Sequence, residues 1–289
     1  MASNRRAGST TARLIKLVGK GPVQAVLVVL ALLWLVPTFG LFVASLRGVQ
    51  DNAQSGWWTA FADPEQLTLD NYRNLLGNPD MTGAFWNTVA ITIPTTLLVV
   101  LLAALAAYAF AWGRFPGRDA LFLVVVGLLV VPIQVGLIPV ARLYGQLGIF
   151  GSIVGVVLFH VGFGLPFAIF LLRNFFVGIP RELLEASRID GASEWTIFSR
   201  VVLPLGTPAI ASLAIFQFLW VWNDLLVALV FSNAQTRPLT VTIREQMRAF
   251  GSNINVIAPA AFLSLVVPLI VFFAFQRYFV QGLLAGSQK

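Results

Sequence analysis

The sequence contains no cysteine and only one histidine among its 289 residues. A disulfide framework, thiol chemistry and a metal site built from cysteines or from several histidines are therefore excluded. Charged residues are also scarce, at 11% of the chain, whereas soluble domains average about 25%. Hydrophobic residues make up 58%. This composition excludes a soluble globular domain as the main component and predicts a polytopic helical membrane protein.

The sequence also lacks GxxxxGK[ST], the loop whose backbone amides cradle nucleotide phosphates. The stretch GRFPGRD at 113–119 has neither that spacing nor the lysine. No nucleophile elbow, metal-binding helix or pair of intramembrane carboxylates is present. We therefore expect that the chain is not an enzyme and that it binds no cofactor or metal itself.

Six apolar runs are long enough to cross the roughly 30 Å hydrocarbon core as helices. The predicted spans are 22–46, 83–112, 120–140, 151–172, 207–231 and 257–279. The first run is too long for the apolar region of a secretory signal peptide, which has about 7–15 residues. The other segments are predicted as a basic tail at 1–21, polar loops at 47–82, 173–206 and 232–256, and a tail at 285–289. The predicted fold class is all-α, with six transmembrane helices.

Basic residues are distributed unevenly around these spans. Six spans place both ends of the chain on one side, and 13 lysines and arginines fall on that side against six on the other. Because cytoplasmic loops carry the excess of basic residues, both termini and the 173–206 loop are expected in the cytosol. The same rule accounts for the formal charge of +7, so this charge does not indicate a nucleic-acid partner.

The stretch at 180–204 is polar and lies between two apolar blocks. Pro180 suits the start of a helix, where a missing N–H costs nothing. Gly191 predicts the end of that helix, because glycine readily takes the left-handed conformation of a C-terminal stop. Ser193 is a good N-cap for a second short helix, which Pro204 is expected to close. The pattern predicts a compact helix-turn-helix between the fourth and fifth spans, with a shape suited to docking.

The same stretch carries a family motif. Glu185-Ala186-Ser187, Gly191, Val201 and Leu203-Pro204 are separated by three, nine and one residues. This spacing resembles the EAA loop of ABC-importer permeases, whose pattern is EAA, three residues, G, nine residues, I, one residue, LP. Ser187 and Val201 depart from it by small, shape-preserving changes. An ordinary amphipathic cytoplasmic loop is the alternative interpretation.

The resemblance implies that this loop is a coupling helix that sits in a groove of a cytosolic ATPase subunit. The coupling residues that it implies are Glu185, Ala186, Ser187, Asp190, Gly191, Leu203 and Pro204. ATP and Mg²⁺ would then be held by partner ATPase subunits. The implied permease core covers 83–284.

Further pieces resemble the sugar branch of these permeases, of the maltose type. They are LTLDNYRNLL (67–76), Asn87-Thr88, AYAFAWGRFPGR (107–118), the stretch 165–192 and the ending FVQGLLAGSQK (279–289). The second periplasmic loop carries no large insertion, and in this respect the chain resembles the shorter of the two permease partners in such systems. The resemblance implies a second related permease, two cytosolic ATPase subunits, an extracytoplasmic sugar-binding protein and a bacterial cytoplasmic membrane.

The fifth span contains a candidate cargo path. Gln217, Trp220 and Asp224 are spaced i, i+3, i+7 and are predicted to share a helical face, with Asn223 on the adjoining strip. Polar groups beside aromatic rings suit a sugar, and intramembrane charges usually face a protein interior or a cavity. The alternative is that the tryptophan belongs to an interfacial belt and that Asn223 and Asp224 hold helices together. For His160, a hydrogen-bonded packing role is favoured over a proton relay.

Other functions stay open at this point. Permeases of this superfamily could carry glycerol phosphate or polyamines instead of sugar. A self-sufficient secondary carrier could also have six spans, but it should show an inverted repeat or several intramembrane charges. Asp224 is the only acid inside a predicted span, which disfavours the carrier.

Overall fold

A computed structural model describes the backbone of residues 7–249 and 253–287, and the side chains of 21–247 and 253–276. Within that part of the chain the regular structure is helical and no strand is formed. The α-helices are α1 (Ala7–Ser45), α2 (Val49–Gln54), α3 (Asp70–Gly77), α4 (Pro79–Trp112), α5 (Arg118–Leu128), α6 (Ile133–Gln146), α7 (Ile153–Val177), α8 (Arg181–Ile189), α9 (Glu194–Ile197), α10 (Leu203–Trp222), α11 (Leu226–Phe231), α12 (Leu239–Ala249) and α13 (Ile254–Ser287). The all-α membrane fold class is confirmed.

The chain divides into two compact units. The first contains the described residues up to 74 together with 253–262, and the second contains 75–249 and 263–287.

Arg47 organises the first unit. Its side chain is fully buried, and its guanidinium donates hydrogen bonds to Gln66 Oε1, Asn52 Oδ1 and Thr59 Oγ1 at 2.8–3.3 Å. It also donates to Oγ and the carbonyl oxygen of Ser55. All of these acceptors are neutral, so the positive charge is stabilised by hydrogen bonds rather than by an ion pair. One side chain thus joins the end of α1 to α2 and to the short 3₁₀ turns that follow.

Three helices, α4, α7 and α10, form the core of the second unit. Ala103, Ala104 and Ala107 on α4 are almost completely buried, as are Ala168 and Leu172 on α7. Small side chains let helix backbones approach closely, which is how membrane helices gain packing energy. Asn78 accepts hydrogen bonds from the first amides of α4, and Ser152 caps α7 in the same way.

Among the described residues, five helices are long and apolar enough to cross a membrane, and the pair α5–α6 passes the same test as one bent span. The third span predicted at 120–140 is therefore not one continuous helix. Its two halves meet at an angle of 100°, because Pro132 has no amide proton and restricts the backbone of the residue before it. The predicted connection at 141–150 is helical as far as Gln146.

The fifth span also differs from its prediction at 207–231. Helix continues from Glu194 through a π-helical turn at Phe198–Val202 into α10, which ends at Trp222. The chain then breaks at 223–225 before α11. The break arises because Asn223 and Asp224 bond to the backbone with their side chains and so compete with the helix.

The remaining differences between the predicted and the observed bounds lie mainly at the ends of helices. The tail predicted at 1–21 is helical from Ala7, and α13 runs without interruption past the predicted end of the sixth span at residue 279. The predicted loop at 232–256 contains α12. Residues 1–6, 250–252 and 288–289 lie outside the described part of the chain.

The buried guanidinium predicts a strong effect of mutation. We expect Arg47→Ala to lower the free energy of unfolding of the first unit by about 3 kcal/mol, because it leaves several buried acceptors unpaired and a void behind. Limited proteolysis within 47–74 in purified protein would measure this loss. Arg73→Ala is the matched control, since Arg73 is exposed and makes only a surface ion pair with Asp70. Equal protease resistance of the two variants would contradict the prediction.

Candidate coupling loop and cargo path

The coupling loop is built on one buried anchor. In α8 only Leu184 is buried, and it belongs to the same hydrophobic cluster as Ile197 and Phe198 of the following turn. The rest of α8 is exposed or half-buried, including Glu185, Ala186 and Ser187. The helix is therefore held to the protein along one edge, and its motif residues face away from the core.

Gly191 has φ +80°, as its place at the helix end predicted. Its amide donates to the carbonyl oxygen of Arg188, and the amide of Ala192 donates to that of Ser187, both at 3.0 Å. These two bonds form a Schellman motif, in which a left-handed residue ends the helix. Among the described residues, no side chain or backbone other than that of Gly191 and its chain neighbours lies within 4 Å of the position that a Cβ at Gly191 would take. The left-handed backbone alone thus makes glycine the favoured residue here.

A polar cluster fixes the loop after this turn. Ser193 caps α9 by accepting from the amide of Thr196 at 3.2 Å. Glu194 accepts from Arg188 Nε at 2.8 Å and from the hydroxyl of Tyr108 at 2.5 Å. The hydrogen bond to Glu194 raises the pKa of the Arg188 guanidinium above its ordinary value, so this pair stays charged. The cluster joins α8, α9 and the end of α4.

Tyr108 and Glu194 were not identified from the sequence as members of this polar cluster. Glu194 carries a local signal, since it falls in the first turn of a helix capped by Ser193. Tyr108 has none, because it is 86 residues away in the chain.

Pro204 does not close the second short helix, contrary to the prediction. Pro204 is exposed and Leu203 half-buried, and both lie at the start of α10 directly after the π-helical turn. Such a turn widens the helix by one residue. The missing amide of Pro204 can therefore be tolerated without ending the helix.

The outer surface of the loop combines charge with exposed apolar side chains. Glu185 pairs with Arg181 at 2.7 Å, an exposed i, i+4 pair worth about 0.3–0.5 kcal/mol. Ile189 is 86% exposed and Trp195 66% exposed, and Asp190 is exposed beside them. Large apolar side chains that stand in the open next to charged groups are typical of a docking surface.

A cavity of about 690 Å³ lies where the α5–α6 break meets α7 and α10. Gln217 and Trp220, both predicted for the cargo path, line it together with several aromatic and aliphatic side chains. The side chain of Gln217 is 2% exposed, and its Nε2 has no hydrogen-bond acceptor among the described residues. A buried amide that has no acceptor and lies beside a cavity can donate a hydrogen bond to a ligand that enters the cavity.

Asn223 and Asp224 do not line this cavity. Asp224 lies beyond the end of α10, so the predicted common helical face does not extend to it. Its carboxylate accepts hydrogen bonds from the amides of Val227 and Ala228 at 3.2 and 2.9 Å. Asn223 is exposed and donates to the carbonyl oxygen of Leu219 at 2.8 Å. In this structure the two residues end one helix and begin the next.

The described residues contain no group of three or more histidines, aspartates or glutamates that could hold a metal ion.

The chain matches a known protein family and several known relatives. Residues 80–284 match the family described as "Binding-protein-dependent transport system inner membrane component". The osmoprotective compounds uptake permease protein GgtD of Synechocystis sp. is 48% identical over 275 residues, which cover 93% of this chain and 92% of that protein. The alpha-glucoside transport system permease protein AglG of Rhizobium meliloti is 51% identical over 233 residues, which cover 78% of this chain and 61% of that protein.

A solved structure shows the same fold. It belongs to a bacterial ABC transporter involved in the import of the acidic polysaccharide alginate, with a TM-score of 0.79 and 21% identity. The similarity covers 96% of this chain and all of that one. The family match and the relatives confirm the resemblance carried by the motif at 185–204: the chain belongs to the binding-protein-dependent transport system inner membrane components, a family of ABC-transporter permeases.

Proposed function

We propose that this permease carries an uncharged sugar or glycoside across the bacterial cytoplasmic membrane. An extracytoplasmic binding protein delivers the cargo, and a second related permease completes the pathway. Two cytosolic ATPase subunits hold ATP and Mg²⁺, and one of them docks on the coupling loop of this chain. The observation that supports this proposal best is the loop itself, which presents an exposed motif on an anchored turn.

The contacts of the loop explain how docking moves the spans. Leu184 anchors α8, and the bonds of Glu194 to Arg188 and Tyr108 join the loop to α4. The π-helical turn joins α9 directly to α10. A displacement of α8 by the ATPase therefore acts on two core helices. Binding of ATP at the partner subunits then shifts an equilibrium between inward-open and outward-open states.

The cavity favours an uncharged cargo. None of the described side chains that line the cavity carries a formal charge, so a polyamine or glycerol phosphate would lose its hydration there without gaining a counter-ion. Aromatic side chains such as Trp220 offer flat faces to the C–H surface of a sugar, while the Gln217 amide can donate to a hydroxyl. AglG is named for the transport of alpha-glucosides, which belong to this class of cargo, and GgtD for the uptake of osmoprotective compounds.

Uptake into vesicles by the complete transporter with its binding protein tests the cargo class. We expect uptake of alpha-glucosides or of a neutral osmoprotective compound, and none of polyamines or glycerol phosphate. Uptake of a polyamine or glycerol phosphate without uptake of any neutral solute would contradict the proposal. ATP hydrolysis stimulated by the loaded binding protein gives an independent measure.

The positive φ of Gly191 makes a substitution at this residue the most direct test of coupling. Gly191→Val should insert at normal levels but separate uptake from ATP hydrolysis or release the ATPase, because a branched side chain at positive φ is strained by roughly 1 kcal/mol or more. Glu185→Lys should act in the same direction but more weakly. Transport, ATPase activity and co-purification of the ATPase are measured together.

Gly83→Val is the control for this variant. Gly83 also has open space around it, but its φ is not positive. Full coupling in Gly191→Val, equal to that of the control, would rule out the docking role of the loop.

The proposed orientation is tested with introduced cysteines, since the chain has none of its own. Glu182→Cys in α8 should react only from the cytosolic side, and Ala53→Cys in α2 only from outside. Both positions are exposed. Labelling of Glu182→Cys from outside in sealed cells would reverse the orientation.

The cargo path is tested at Gln217. Gln217→Leu keeps the size of the side chain but removes the amide, and a lost hydrogen bond of about 1 kcal/mol corresponds to roughly a fivefold rise in the apparent KM for uptake. Asn223→Ala is the control, because Asn223 does not line the cavity. An unchanged KM in Gln217→Leu, with normal assembly, would remove Gln217 from the path.

A further inference from the structure

A second, much smaller cavity lies where the second, fourth and fifth spans meet. Its volume is about 10 Å³, and its lining includes Thr92 of α4, His160 of α7 and Asp224 at the break after α10. A cavity of about 10–15 Å³ is large enough for one water molecule. This cavity is distinct from the larger one beside Gln217.

The polar groups around it are buried and incompletely paired. Thr92 is 0% exposed and His160 1% exposed. Neither the hydroxyl of Thr92 nor either ring nitrogen of His160 has a hydrogen-bond partner among the described residues. Nε2 of His160 lies 3.5 Å from Oδ2 of Asp224, which is long for a hydrogen bond. The hydrogen-bonded packing role predicted for His160 is therefore not met by direct contacts.

Leaving these groups dry would be costly. A buried hydroxyl or imidazole without a partner loses its hydration without compensation, and native structures rarely tolerate this. A buried water typically makes about three hydrogen bonds to such groups. Thr92, His160 and Asp224 together offer three side chains of the right kind, including both donors and acceptors.

We propose that this cavity binds one structural water molecule, which bridges Thr92, His160 and Asp224. The water ties α4 and α7 to the carboxylate that begins α11, and so holds the break in the fifth span in place. The ring of His160 also meets the ring of Trp220 edge to face at 5.9 Å. The bridge therefore supports one wall of the larger cavity. The proposed water bridge does not depend on which solute is transported.

Thr92→Val tests the bridge, since valine keeps the shape of threonine but removes the hydroxyl. If the site holds water, the substitution should lower the midpoint of thermal unfolding of the purified transporter, and Thr92→Ser should restore most of the loss. If the site is dry, removing an unpaired hydroxyl should leave the midpoint unchanged or raise it. That second outcome would overturn the proposal.

Thr95→Val is the matched control. Thr95 is also fully buried in α4, but its hydroxyl donates to the carbonyl oxygen of Ile91 and it does not line the cavity. We expect Thr92→Val to lower the midpoint more than Thr95→Val does.

A double-mutant cycle with His160→Phe separates a shared water from independent effects. Two groups that bind the same water should show losses that do not add, whereas independent sites add. Additive losses would contradict the bridge. Should a variant fail to assemble, an experimental map of the native transporter that resolves ordered waters decides the question, because the proposal requires density between Thr92 and His160.

Discussion

Backbone amides and carbonyls at membrane depth need partners inside the protein, because lipid offers none. In the second unit this requirement becomes most severe where the third and fifth spans break. At the fifth, the carboxylate of Asp224 accepts from two amides of α11, and its carbonyl oxygen accepts from the hydroxyl of Thr240 at 2.6 Å. At the third, the amides of Leu129, Val130 and Val131 bond three residues back along the chain. Both breaks are thus closed by hydrogen bonds within the protein.

Irregular backbone at membrane depth occurs where it is buried in protein or lines a cavity. The break in the third span meets this condition, since Leu129 and Val131 line the larger cavity. Many transporters place their cargo beside broken helices. The location of Gln217 and Trp220 next to this break therefore supports the proposed path, while Asp224 supplies the hydrogen bonds that the second break requires.

The proposed coupling loop differs from these breaks, because most of its side chains are exposed. Leu184 is buried to hold α8, whereas Ile189 and Trp195 stand in the open. The Schellman turn at Gly191 and the bonds of Glu194 make this exposed surface stiff. A stiff surface loses little conformational entropy when a partner binds to it, which agrees with the proposed docking role.

Local sequence determined the features that depend on neighbours in the chain. Apolar runs are long enough to predict spans by themselves, and Gly191 follows a helix whose last carbonyls need partners, so its left-handed backbone was predictable. The spacing of Glu185, Gly191 and Pro204 was sufficient to indicate the family. The basic residues predict an orientation through a rule that needs no structure.

Only the tertiary structure decided which distant polar groups lie together. Tyr108 bonds to Glu194 and Arg47 bonds to Gln66, whereas Thr92 and His160 line one small cavity from different helices. No local periodicity in the sequence indicates any of these three arrangements. Asp224 shows most clearly where prediction from the sequence pattern fails. A helical pattern placed it on the face of Gln217, but a carboxylate can also bond to its own backbone, and that competition ended the helix at Trp222. Apolar patterns encode which segments enter the membrane, whereas the partners of buried polar groups are set by the packing of distant helices.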